Sequence, residues 1–335
     1  MITAKPILRQ VPRWQRELAR AIRDPAELLQ ELELDPALLP AARAAAKSFP
    51  LRAPLGFVAR MRKGDPDDPL LRQVLPLAAE LEPASGFAPD PVGDWAAQAA
   101  PGVLHKYQGR ALLMVTGACA VHCRYCFRRE FPYAEVHSSA DPWQPALNYL
   151  AGDASIREVI LSGGDPLALS DRRLGALLTG LDRIPHLKRL RIHSRLPVVL
   201  PERVDEGLLN LLAQTRLSSV LVIHANHPRE MDDSVRAALT QLATAGVTLL
   251  NQSVLLRGVN DAAATLVELS EALFAARVMP YYLHLLDRVR GAAHFEVKEA
   301  KASAIIKKLR QQLPGYLVPR LVREQPGRLA KTPVW

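Results

Sequence analysis

The chain has 335 residues, 49% hydrophobic and 23% charged, with 43 Lys and Arg against 34 Asp and Glu for a formal net charge of +9. That composition excludes a generally disordered protein, and the length suits one large catalytic domain with appended segments. No apolar run reaches the roughly 18 residues of a membrane span, and no charged stretch followed by an apolar one opens the chain as a secretion leader would, so a cytoplasmic location and no membrane partner are expected. The positive balance would suit an acidic protein or nucleic acid, but the basic residues are scattered rather than run together, which reads as an ordinary Arg-rich surface.

Residues 1–103 read as a helical N-terminal segment broken by proline. Helical periodicity runs over Trp14–Leu34 and Pro36–Lys47, a turn falls at Asp65–Pro69, and an amphipathic stretch covers Leu70–Leu81. No catalytic constellation is visible there, and the segment reads as a cap or a docking surface. Over 104–312 short apolar runs alternate with helical stretches. Strands are predicted at Ala111–Thr116, Glu158–Leu161, Arg189–His193, Ser219–His224, Thr248–Val254 and Tyr281–Leu285, with helices between them such as Asp205–Gln214, Met231–Ala245 and Ala262–Ala276. Six such β-then-α units imply an α/β fold with a parallel sheet and right-handed crossovers, a partial (β/α)6 barrel. Polar residues collect just after the strands, at Cys119, Ser162–Asp165, Ser194–Arg195, His224–Asn226, Gln252 and Asp287. That is the end at which β/α barrels keep their active sites. Residues 313–335 form a short C-terminal segment, a strand-like run over Gly315 onward and then a Pro-containing tail.

All three cysteines lie between 119 and 126. An odd, tight group argues against a disulfide framework and for a metal site. Cys119-Ala-Val-His-Cys123-Arg-Tyr-Cys126 follows a predicted strand and so sits on a loop above the sheet. Cysteine thiolates are the usual ligands of iron–sulfur clusters, and three of them on a [4Fe–4S] cubane leave one iron open. That iron can chelate the amino and carboxylate groups of S-adenosylmethionine (SAM), and one electron then cleaves the sulfonium to a 5′-deoxyadenosyl radical. The rival is a structural zinc ion with His122 as fourth ligand; adjacent residues point in different directions, and no second CxxC pair exists.

The C-x3-C-x2-C motif after the first strand resembles the radical SAM superfamily. Further strings resemble lysine 2,3-aminomutases: Ser162-Gly-Gly-Asp-Pro-Leu167, His193-Ser-Arg-Leu-Pro197, His224-Ala-Asn-His-Pro228, Asn251-Gln-Ser-Val-Leu-Leu-Arg257 and Lys331-Thr-Pro333. The likeness runs from about Leu104 to Pro333. Tyr125-Cys-Phe-Arg-Arg, Tyr281-Tyr-Leu-His-Leu-Leu-Asp287, Gly291-Ala-Ala-His-Phe295 and the helical N-terminal segment resemble the branch of the family that makes β-lysine for elongation factor P.

The resemblance implies a radical SAM barrel and an amino shift that turns lysine into β-lysine, with the cluster, SAM as a reusable cofactor and pyridoxal 5′-phosphate (PLP). Lys331 is then the lysine that forms the Schiff base with PLP. Lys106, Tyr107 and Arg110, just before the first barrel strand, fall at the PLP site, where a phosphate asks for cationic donors. Gly163, Gly164 and Asp165 would meet the amino group of SAM, and Ser194, His224 and Gln252, read as strand ends, its carboxylate, ribose or adenine. Read without the resemblance, Gly163–Asp165 is a βα turn with an Asp cap and the other three are polar residues at strand ends. Arg128 would pair with the lysine carboxylate, for which a planar guanidinium is suited. Asp287 and Glu324 would hold its side-chain ammonium, and an electron donor and elongation factor P would be partners. Glu324 departs from the family, which carries Asp seven residues before the PLP lysine, and this puts turnover of free lysine in question.

Three other readings stay open on the sequence. One is a free-lysine aminomutase of β-lysine metabolism, and another a radical SAM enzyme that has lost PLP. The third is a metal-containing RNA-binding protein without catalysis, motivated by the +9 charge. Against the last stand 5% aromatic residues and no basic–aromatic interleaving, so no nucleic-acid partner is expected.

Overall fold

Proline sets the breaks in the N-terminal segment. The computed structural model describes residues 11–136 and 143–335. Helix α1 (Arg13–Ala19) follows Pro12, and α2 (Pro25–Glu31) starts on Pro25 with the Asp24 carboxylate accepting the Ala26 N–H at 2.9 Å. The single helical stretch expected over Trp14–Leu34 is therefore two helices, because Pro25 has no N–H to give a continuing helix and Asp24 takes the cap. Ile22, between them, pairs with Ala53 as an isolated bridge. Helices α3 (Leu39–Ser48) and α4 (Leu55–Val58) follow. The amphipathic stretch expected over Leu70–Leu81 is instead two 3-10 turns, Leu71–Gln73 and Ala78–Glu80. Pro76 between them stops a longer helix.

Ten strands then form one sheet whose spatial order is the chain order. Strands β1 (Gln98–Ala100), β2 (Val103–Tyr107) and β3 (Arg110–Thr116) make an antiparallel meander. From β3 onward every neighbour is parallel: β4 (Glu158–Gly163), β5 (Arg189–Ser194), β6 (Ser218–Ile223), β7 (Thr248–Val254), β8 (Met279–His284) and β9 (Arg320–Arg323). A last short strand, β10 (Thr332–Pro333), runs back antiparallel on β9. After β3 come α5 (Tyr133–Val136) and α6 (Gln144–Gly152), after β4 α7 (Asp171–Asp182), and after β5 α8 (Leu196–Val199) and α9 (Glu206–Gln214). The last three crossovers carry α10 (Asp233–Thr244), α11 (Ala263–Ala275) and α12 (Glu299–Gln312). These are the six βα units of a partial barrel. The β1–β2 hairpin straddles residue 103 and β9 lies beyond residue 312, so the sheet extends past both edges expected for the barrel segment. None of the described helices is long and apolar enough to cross a membrane.

Two periodicities build the layers. Helix α7 buries Leu174, Leu177, Leu178 and Leu181, and α12 buries Ala302, Ile305, Ile306 and Leu309, the three-to-four spacing of a helix with one face on a sheet. The strands alternate. In β5, Leu190 and Ile192 join the core under the helices while Arg191 and His193 face a central cavity; in β7, Gln252 and Val254 face the same cavity. Side chains from β3 and from β9 line it together, so the sheet curls on itself around that space.

Candidate active site

The cysteine loop leaves β3 and is moulded by the N-terminal segment. The His122 N–H donates to the Arg52 carbonyl and the Arg124 N–H to the Gln73 carbonyl, each at 2.9 Å. Arg124, fully buried, forks onto Glu80 with Nε at 2.8 Å and Nη2 at 2.6 Å, and Arg129 reaches the same carboxylate at 2.8 Å. His122 Nδ1 lies 2.9 Å from the Pro50 carbonyl and the ring stacks on Phe49 at 5.2 Å. His122 is thus tied to the N-terminal segment through Nδ1 and its ring face. The three half-buried cysteines face one another closely enough to matter electrically. Burial raises the Cys119 and Cys126 thiols, Cys126 to about 11, and the neighbouring sulfurs add to the effect. Cys119 and Cys126, whose thiols resist ionisation, fit beside Cys123 a cationic group that would draw them into the thiolate form. Among the described residues no three His, Cys, Asp or Glu side chains surround a single ion. A cubane instead asks for thiolates on three separate irons, so that finding concerns a mononuclear metal.

Gly163 and Gly164 press against this loop. Gly163 has φ +120°, and a Cβ there would lie 2.6 Å from the Thr116 carbonyl oxygen; at Gly164 it would lie 2.3 Å from that of Ala118. The Gly164 and Asp165 N–H groups donate to those two carbonyls at 2.7 Å. The close approach permitted by the missing side chains is therefore to the strand end that carries Cys119. Asp165 is buried, and its own chain takes both carboxylate oxygens: Oδ1 accepts from Leu167 N–H at 3.0 Å and Ser194 Oγ–H at 2.7 Å, Oδ2 from the N–H groups of Arg195 at 2.8 Å and Leu196 at 3.2 Å. Ser194 and Asp165 thus tie the turns after β4 and β5 together, one layer behind the cavity wall.

Most of the other predicted site residues meet in the central cavity, of about 730 Å³. Lys331 Nζ donates to Glu324 Oε2 at 2.9 Å, and Tyr107 donates to the other oxygen of the same carboxylate. Burial pushes the Glu324 carboxyl up, but Lys331, the Tyr107 hydroxyl and Lys106 outweigh it and hold the group below its ordinary value. Arg110 lies over the Tyr107 ring at 4.6 Å and lines the cavity. Lys106 bonds Asp94 at 2.5 Å and the Val92 carbonyl at 2.8 Å, and reaches Glu324 only at 3.9 Å. Arg128 donates from Nε to Asp94 at 2.7 Å and from Nη1 to Ser162 at 3.0 Å. Asp94 was not singled out in the sequence, yet this buried carboxylate holds both cations. Burial raises it, and Arg128 and Lys106 more than reverse the effect. Asp287 lines the same wall. Burial lifts its carboxyl to about 7, with Lys331 pulling down and Glu324 pushing up.

His224 and Gln252 face the cavity as well. Gln252 lies within β7, two residues before its end, and it reaches the cavity through the strand's alternation. His193 and His284, not among the predicted residues, join them. The Nε2 atoms of His193, His224 and His284 are buried without a hydrogen-bond partner among the described residues. Burial drives all three imidazoles below their ordinary value, His224 to about 4, so they stand neutral with a donor or acceptor to offer. Orphaned polar atoms on a cavity wall fit a polar cofactor or substrate.

No protein-family model matches the chain. A solved structure of a radical SAM methyltransferase from Sphaerobacter thermophilus has a TM-score of 0.45 and 17% identity over 66% of this chain and 68% of that one, too slight a likeness to carry an argument. Sequence relatives are much nearer. An L-lysine 2,3-aminomutase of Escherichia coli K12 is 53% identical over 96% of this chain and 94% of its own, and one of Haemophilus influenzae 48% identical over 99% and 98%. One of Clostridium subterminale is 39% identical over 83% of this chain and 67% of its own. Identity of this extent, over nearly the whole chain, shows that the chain belongs to the L-lysine 2,3-aminomutases, radical SAM isomerases.

Proposed function

We propose that this chain converts L-lysine to β-lysine by a radical 1,2-amino shift, and that the product serves the modification of elongation factor P. One observation carries the reading: Tyr107, Arg128, Asp287 and the Glu324–Lys331 pair come from four separate stretches of chain and face one cavity. Lysine 2,3-aminomutases use a [4Fe–4S] cluster, SAM and PLP. When bound, the cluster with SAM supplies a radical able to take hydrogen from an unactivated carbon, and PLP supplies a conjugated ring that stabilises an unpaired electron.

The chain's own residues have distinct tasks. Cys119, Cys123 and Cys126 hold the cluster. Lys331 is the covalent anchor of PLP, with Tyr107 and Arg110 toward its polar groups. Glu324, at 2.9 Å from its nitrogen, orients Lys331 toward the cavity. A lysine substrate brings a carboxylate and two ammonium groups. Arg128, fixed by Asp94 and Ser162, presents a guanidinium to the carboxylate; Asp287 and Glu324 present carboxylates to the side-chain ammonium. His224 and Gln252 are the direct polar contacts for SAM, while Gly163, Gly164, Asp165 and Ser194 shape the turns behind them. The barrel wall orients these groups and keeps water from them. The elongation factor P branch rests on the strings at 125–129, 281–287 and 291–295 and on Glu324 in place of Asp.

The test is an anaerobic assay of reconstituted enzyme with SAM, PLP, dithionite and L-lysine, read by mass spectrometry. β-Lysine from wild type, lost in both Cys123→Ala and Lys331→Ala, is the expected result. SAM cleavage without β-lysine would point to another substrate, or to lysine already attached to a protein. Neither product from protein with a full cluster would sink the proposal. Unmodified elongation factor P in a deletion strain separates this branch from a free-lysine enzyme of β-lysine metabolism.

A further inference from the structure

A buried polar network outside the substrate cavity joins the N-terminal segment to the cysteine loop. Its centre is Arg195, in the turn after β5, 4% exposed. The guanidinium spans three acceptors: Nη1 lies 2.7 Å from Cys123 Sγ, and Nη2 lies 2.6 Å from Gln73 Oε1 and 3.2 Å from Glu230 Oε2. Gln73 and Glu230 are wholly buried and bonded to each other at 3.0 Å. Asn226 braces both, through Nδ2 to Gln73 at 3.0 Å and its N–H to Glu230 at 2.9 Å. Phe57 and Tyr125 flank the guanidinium at 5.4 and 5.7 Å. A planar five-donor group held on both sides has one orientation open to it, and that orientation aims an N–H at a cysteine sulfur.

We propose that Arg195 is a positioning residue for the electron-transfer step: held by Gln73 and Glu230, it donates a hydrogen bond to the Cys123 thiolate and raises the reduction potential of the cluster that thiolate holds. The inference rests on the assignment of the three cysteines to a [4Fe–4S] cluster. Hydrogen bonds to ligand sulfur and local charge are among the determinants of such potentials. The added electron makes the cluster more negative, so a cationic donor touching a ligand sulfur stabilises the reduced form more than the oxidised one. Glu230 offsets part of the charge, but it sits on the far nitrogen while Nη1 touches the sulfur. The N-terminal segment contributes here through Gln73: it is part of the redox unit as well as a mould for the loop.

The experiment is a redox titration of the reconstituted full-length protein, followed by electron paramagnetic resonance of the reduced cluster, for wild type, Arg195→Gln and Arg195→Lys. Iron and sulfide contents are measured on the same samples. The expected result is a full cluster with a more negative potential in Arg195→Gln. Arg195→Lys keeps a charge against Glu230 and guards against simple misfolding; it is expected to fall below wild type as well, since a single ammonium cannot bridge Gln73, Glu230 and the sulfur. Wild-type potentials in variants with full clusters would overturn the inference. So would failure of both variants to assemble a cluster that wild type assembles, since Arg195 would then be a structural strut. Failure of wild type itself to bind iron through the three cysteines would instead overturn the cluster assignment.

Discussion

At Asp287, burial and neighbouring charge oppose each other. Burial pushes its carboxyl up to about 7, Lys331 and Lys106 draw it down, and Glu324 and Asp94 push it up again. The ligand-free site therefore holds a proton there through the acid side of neutrality. An incoming ammonium favours the ionised form and expels that proton, so binding is coupled to its release below about pH 7. The expected outcome is a KM for lysine that rises as pH falls below about 7, approaching tenfold per pH unit for one coupled proton. Asp287→Asn should show a higher KM and a flat profile; a flat wild-type profile would remove Asp287 as the titrating partner. Asp287 was legible in the sequence because it lies in a recognisable string at the end of a strand. Asp94 was not. It is one acid in a Pro-rich loop, and only the fold brings it onto Arg128 and Lys106.

At the scale of elements, the cysteine loop is shaped by what packs on it. Glu80 and Arg124 have side-chain exposures of 1% and 0%, and Arg129 shares the carboxylate. Replacing Glu80 with Ala leaves two buried guanidinium groups without their acid, a loss on the order of 3–5 kcal/mol. The expected result is a lower melting temperature and reduced iron after reconstitution, with Glu80→Gln intermediate because it keeps one acceptor. Gly164→Ala acts on the loop from below. Its Cβ would meet the Ala118 carbonyl at 2.3 Å, backbone against backbone, so the strand end carrying Cys119 has to move. Iron content should fall more than helical content, as read by circular dichroism; equal losses would mean the whole barrel is disturbed. The six strands β3 to β8 are legible to within about two residues as short apolar runs between helical stretches, whereas β1, β2 and β10 are too short or too mixed to stand out. The run over Leu70–Leu81 was misread because its apolar spacing also suits two short turns around Pro76, and both turns are packed under the cysteine loop rather than along a helix face.

The molecule as a whole is a curled sheet whose two margins meet at Glu324. Tyr107 ends β2 near one margin, Glu324 follows β9 near the other, and the Tyr107 hydroxyl, Lys106 and Lys331 converge on that one carboxylate. The six βα units in the sequence imply a parallel sheet with right-handed crossovers, but the seam depends on contacts more than two hundred residues apart, which no local pattern encodes. Lys331 reaches the seam because β10 returns along β9, with Thr332 opposite Arg323 and Pro333 opposite Val322. Val334 anchors the return: it is buried, and its N–H donates to the Leu321 carbonyl at 3.0 Å. The Trp335 carbonyl accepts from Ser303 on α12 at 2.8 Å. Removing residues 332–335 keeps Lys331 in the chain but takes away the strand that aims it, together with roughly 1.5–3 kcal/mol of Val334 burial. The cysteine loop, moulded by the N-terminal segment, has no part in that pairing. The truncated protein should therefore bind iron like wild type yet lose most of the PLP that borohydride fixes to the protein. Retention of PLP at the wild-type level would show that β10 only covers the cavity, and that Glu324 alone suffices to place the lysine.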